Sequence, residues 1–134
     1  LWVAPDQPVT VEVSKESQAD RQAQMLEIAV LDQNRVRLLL DVFEDSYYQV
    51  QDWVALIFRL EEGGDLIQVQ GMVKNIVEDQ STPNQTHLEV EGKAAIGDEI
   101  SILVYLSRRE DQIMEKLDRS FKKLRNQKKQ GKQK

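Results

Sequence analysis

The chain has 134 residues, no cysteine and a net charge of −5. That length fits one domain able to bury its own core, and the lack of thiols excludes disulfides, thiolate metal sites and a cysteine nucleophile, as suits a reducing cytoplasm. The charge is unevenly spread: residues 108–134 carry 11 Lys/Arg against 4 Asp/Glu, a net +7, which leaves −12 for residues 1–107.

Two further classes are set aside by pattern. The longest apolar runs, Val54–Phe58 and Ile102–Leu106, fall far short of the roughly 20 residues of a membrane-spanning helix. The start "LWVAPDQPVT" has no basic region followed by an apolar one, so no signal peptide is expected there, and the absent initiator Met points to residues removed upstream of Leu1.

In chain order, residues 1–25 read as a polar segment with a short strand at Val9–Val13, "VTVEV", where apolar and polar residues alternate. From Leu26 the β signal is strong. "LEIAVL", the turn "DQN" and "RVRLLLDVF" predict a hairpin, since Asp and Asn stabilise turns through their own side chains. "WVALIFRLEE" then runs to Gly63–Gly64, which allow a reversal. In "DLIQVQGMVKNIVE", Ile67, Val69, Val73 and Val77 share one face, and Gly71 is the expected bulge or bending point. "THLEVEG" alternates with Leu88 and Val90 inward and His87, Glu89 and Glu91 outward.

After Gly97 the apolar period changes from two to about 3.6. Asp98 is placed to cap a long helix, and the part up to about Leu106 is expected to pack on the body. Beyond it, Ile113, Leu117, Phe121 and Leu124 continue the apolar face. The stretch 108–125 reads as a helix extension, and residues 126–134, "NQKKQGKQK", as a disordered basic tail. The predicted fold is mainly β (α+β): a small antiparallel barrel of five to six strands followed by a long C-terminal helix, with the barrel and the start of that helix in residues 26–107.

This order of elements resembles the PilZ domain, the bacterial receptor module for cyclic di-GMP, from about Ala19 to Ile113. The likeness rests on "LLLDVFEDSYYQVQDWVALIFRL", similar to the family's strand, signature loop and strand, on "LIQVQGMVKNIV", and on "DEISILVYLSRRE", similar to the closing helix. The resemblance implies two ligand signatures. One is an R-x-x-x-R pair before the first barrel strand, whose guanidinium forks fit phosphate or a guanine edge. The other is a D/N-x-S-x-x-G loop between the second and third strands. Here Arg21 stands alone, with Ser17 and Met25 four positions away, and the loop reads Glu44-Asp45-Ser46-Tyr47-Tyr48-Gln49, in which only Ser46 matches. Arg21 and Ser46 are the ligand-binding candidates carried over. Glu44, Asp45 and nearby Asp41 put negative charge where two phosphates would sit, so cyclic di-GMP binding is expected to be lost or weak.

In place of a ligand site, Tyr47 and Tyr48 suit a protein contact, whereas Trp53 is expected to pack. Ile113, Leu117, Phe121 and Leu124 have no intradomain surface to cover and predict a protein partner or self-association through the helix. The implied role is a cytoplasmic bacterial signalling adaptor acting through protein contacts. Two alternatives stand beside it: a true cyclic di-GMP receptor with atypical ligand residues, and a nucleic-acid-binding barrel using the basic tail. The tail has no aromatic residue after Phe121 to stack bases, which disfavours the latter. No enzyme activity, cofactor or metal is expected: no base stands near Ser14, Ser46 or Ser107, and His87 with Glu89 and Glu91 lacks a fourth ligand.

Overall fold

The structure is a computed structural model that describes residues 2–16, 23–41, 47–78 and 85–132. Six strands, β1 (Thr10–Lys15), β2 (Gln24–Leu31), β3 (Arg35–Asp41), β4 (Trp53–Phe58), β5 (Ile67–Glu78) and β6 (Gln85–Ala94), precede one helix, α1 (Ile96–Lys132). The strands close into an antiparallel barrel in the order β1-β2-β3-β6-β5-β4, with β1 also pairing β4. This is the predicted fold, and the hairpin of β2 and β3 turns at Asp32–Asn34 as expected. There the Gln33 N–H donates to Asp32 Oδ1 at 2.8 Å and the Asp32 N–H to the Arg35 carbonyl at 2.8 Å. The Gln33 amide first, and second the Arg35 guanidinium, which donates to Asp32 Oδ2 at 3.0 Å, hold the Asp32 carboxyl below its ordinary pKa.

Strand alternation fills the barrel. Val11 and Val13, Leu38 and Leu40, Val54 and Leu56, Leu88 and Val90 are all essentially inaccessible. Each fully buried aliphatic side chain of this kind contributes roughly 1.5–3 kcal/mol through burial. Trp53 is corrected here. Because Val54, Leu56 and Phe58 take the inward positions of β4, Trp53 points outward and is 55 % exposed.

Of the two expectations for Gly71, the bulge is corrected. The register shift in β5 falls between Val73 and Asn75, at Lys74. Gly71 instead lies opposite Gly92 of β6, where an added Cβ would stand 2.7 Å from Val90 Cγ1 and 2.8 Å from the Glu91 carbonyl oxygen. The paired glycines allow the two backbones and the neighbouring Val69 and Val90 side chains to approach without collision.

The helix packs differently from the sequence expectation. Ile102, Tyr105 and Leu106 are buried, whereas Ile100 and Leu103 are exposed. Asp98 does not lie at the helix start. It falls in the first turn of α1, where its Oδ2 accepts the Gln68 N–H of β5 at 3.2 Å and ties helix to barrel. At the far end α1 runs to Lys132, past Asn126, where composition predicts a disordered tail.

An N-terminal strap completes this end. Val3 exchanges backbone hydrogen bonds with Leu31 at 2.9 and 2.8 Å. The Tyr105 hydroxyl donates to Asp6 Oδ1 at 3.2 Å, and Arg109 Nε donates to the Ala4 carbonyl at 3.1 Å. Trp2 lies against two guanidiniums of β3, with Arg35 at 4.6 Å and Arg37 at 4.7 Å from its ring.

Candidate functional site

The pairing of strands decides where the two signature segments go. Lys15, at the end of β1, pairs Val54 at the start of β4, and Gln24, at the start of β2, pairs Val13. Asp41, at the end of β3, pairs Gln85. The β1–β2, β3–β4 and β5–β6 connections therefore all leave from one end of the barrel, opposite the helix. Sequence order alone separates the Arg21 segment from the Ser46 loop; the barrel brings their anchor points together. Arg21 and Ser46 themselves, with Glu44 and Asp45, lie outside the described residues.

What is described at this end is a compact polar cluster. Lys15 Nζ stands 4.2 Å from the centre of the Tyr47 ring and 3.4 Å from Asp52 Oδ2. Its side chain is only 11 % exposed. The Tyr47 and Tyr48 rings meet edge to face with centroids 4.9 Å apart. The Tyr48 hydroxyl donates to Gln24 Oε1 at 2.6 Å, and the Gln49 N–H donates to Asp52 Oδ2 at 2.9 Å. Gln51 then adopts a left-handed backbone, φ 78°, and donates its N–H to the Val73 carbonyl at 2.7 Å. A side chain disfavours that conformation, so the hydrogen bond to β5 helps hold the turn.

Two consequences follow for the candidates. Tyr48 is 2 % exposed and belongs to the core, so its ring is not available as a surface contact. Tyr47 is half-buried against the same core, with its ring covered by Lys15. Burial arises because Tyr48 can satisfy its hydroxyl internally on Gln24, which removes the cost of taking it from water.

Lys15, Gln24 and Asp52 were not singled out from sequence. A signal for Lys15 was present: it continues the period-two phase of Val11 and Val13, so a lysine enters the inward side of a strand at the barrel rim. Asp52 carried none, since its partner is distant in sequence.

A groove of about 800 Å³ runs from the β2–β3 hairpin across β4–β6 to the helix. Its charged lining is mixed, with Arg35, Lys74 and Lys93 set against Asp32, Glu91 and Glu99. Such a surface presents no single-sign field for a doubly anionic ligand. His87 is half-buried on β6, and no group of three or more His, Cys, Asp or Glu that could hold a metal occurs among the described residues. Along α1, Ile113, Leu117, Phe121 and Leu124 are 37, 49, 61 and 55 % exposed. No described helix is long and apolar enough to cross a membrane.

A closed six-stranded antiparallel barrel followed by one C-terminal helix, with the signature connections gathered at the opposite end, is the PilZ-domain fold. Solved structures agree. The PilZ domain of YcgR from Escherichia coli, determined with c-di-GMP, superposes with a TM-score of 0.60 at 16% identity, over 88% of this chain and 95% of that one. The inhibitor of motility MotI/DgrA from Bacillus subtilis gives 0.67 at 21% identity over 83% of this chain and 51% of that chain. MrkH from K. pneumonia in its apo state gives 0.68 at 12% identity, over 87% and 52%. The chain thus spans about half the length of the latter two. No protein-family model and no curated protein sequence matches the chain.

Proposed function

We propose that the chain is a cytoplasmic signalling adaptor on the PilZ fold that acts through protein contacts rather than catalysis, with cyclic di-GMP binding lost or weak. The observation that carries this reading is the state of Lys15. At the barrel end where the family's signatures converge, this cation is already committed to Asp52 at 3.4 Å and to the Tyr47 ring at 4.2 Å. A phosphate recruiting it would have to break both contacts and expose Asp52. The sequence adds Glu44 and Asp45 to the same loop and supplies Arg21 without a second arginine four positions away. Fold likeness to a PilZ domain determined with c-di-GMP, and to an inhibitor of motility, supports a place in signalling.

Calorimetric titration with cyclic di-GMP at near-physiological salt tests the ligand half of this reading. The expected result is no measurable heat and no thermal stabilisation. Micromolar or tighter binding would instead make the chain a receptor with atypical ligand residues, and would direct substitution to Arg21, Ser46 and Lys15.

A further inference from the structure

The helix extension carries an apolar stripe in need of a cover, and its charges say what the cover is. We infer that the occupant is a second copy of this chain, paired antiparallel along α1 between Glu110 and Gln127. The inference rests on the reading of the helix as a contact surface and goes on to name the partner and its direction.

Tyr105 and Arg109 are the points at which the strap holds the helix, through Asp6 and Ala4. From Glu110 to Lys132 the helix continues for about 35 Å at the usual rise per residue. Ile113, Met114, Leu117, Phe121 and Leu124 recur there at spacings of one, three and four. That places them along one side, each between 37 and 64 % exposed. The stripe is centred near Asp118 and Arg119, so a two-fold axis passing there sets Ile113 of one copy level with Leu124 of the other.

Charge decides the direction. Residues 110–118 hold Glu110, Asp111, Glu115 and Asp118 against Lys116, a net −3, whereas residues 119–127 hold Arg119, Lys122, Lys123 and Arg125, a net +4. An antiparallel pair with its axis at the stripe's centre lays each acidic half beside a basic half. A parallel pair lays basic beside basic, and also brings together two bodies that each carry −12. In the antiparallel pair the barrels lie at opposite ends. Like charges held side by side disfavour the wrong direction, as in other paired helices.

The absence of cysteine makes a clean test possible. Sedimentation of the full chain at tens of micromolar in low salt is expected to give about twice the 15.5 kDa of the single chain. That mass should fall toward the monomer as salt rises, and Leu117→Glu should abolish it without lowering the melting temperature of the barrel. Under mild oxidation, Ile113→Cys mixed with Leu124→Cys should give a mixed cross-linked pair faster than Leu124→Cys alone links to itself. A monomer at every salt and concentration would overturn the proposal, and so would a doubled mass that survives Leu117→Glu. Self-linking of Leu124→Cys as the faster reaction would overturn it in favour of a parallel pair. These outcomes are independent of the calorimetric one: tight cyclic di-GMP binding would overturn the adaptor reading and leave the pairing intact.

Discussion

The two ends of the barrel are built on different principles. At the helix end, Ile102, Tyr105 and Leu106 close the core, and the strap of residues 2–6 and the barrel at Gln68 and Glu61 hold the helix through Tyr105, Arg109, Asp98 and Arg108. Among the described residues, the loop end is organised around one buried tyrosine and one cation–carboxylate pair, Tyr48 with Gln24 and Lys15 with Asp52. Apolar closure fixes the first end by area, while the second depends on a few directional polar contacts. The lesson is that one end can carry stability while the other changes its chemistry. Here the fold shared with a PilZ domain determined with c-di-GMP is kept at 16% sequence identity.

The largest effect is expected at the closed end. Leu106→Ala removes a buried side chain from the helix–barrel contact and should lower stability by about 2–3 kcal/mol in thermal or denaturant unfolding. An equal loss from substitutions at the open end would break the comparison. There, Tyr48→Phe deletes the hydroxyl bonded to Gln24 while keeping the ring, and should cost about 1 kcal/mol.

A smaller, pH-dependent effect separates the ends further. Burial, opposed by the Asp6 backbone N–H and reinforced by the Asp6 carboxylate, pushes the Tyr105 hydroxyl above its ordinary pKa. Above about pH 10 the unfolded chain releases this proton while the folded chain keeps it, so stability falls as pH rises through that range and is unaffected below it. Tyr105→Phe should flatten this decline when unfolding is followed from pH 9 to 11. The smallest effect belongs to Trp53→Ala, which removes an outward ring and should change stability by no more than about 0.5 kcal/mol. A large loss there would mean that Trp53 contributes to the rim in a way its exposure does not suggest.

Much of the barrel was legible because β-strands half-buried in a closed sheet must alternate. "HLEVE" declares its inward set, and the structure buries Leu88 and Val90 as that pattern requires, whereas "WVALIF" is apolar on both faces and its sequence did not say that Val54, Leu56 and Phe58 rather than Trp53 face the core. The helix was legible as a helix but not in its phase. Ile100, Ile102, Leu103, Val104 and Leu106 surround its first turns almost completely, so period alone could not say that Ile102 and Tyr105 face the core. The site was least legible. Lys15 and Asp52 lie far apart in sequence and meet only because β1 closes the barrel onto β4, and the hydroxyl of the buried Tyr48 is met by an amide in β2.

That closure has a consequence for how the domain meets other chains. Every described strand has a hydrogen-bonded neighbour on both sides over much of its length, so among the described residues little backbone edge is left for a foreign strand to extend, chiefly residues 74–78 of β5, which pair with β6 alone. Recruitment by strand addition, and the runaway stacking it can seed, are confined by topology to that short stretch before any side chain is consulted. Recognition is left to faces, loops and the projecting helix, where a change of a few residues can rewire a contact without disturbing the sheet.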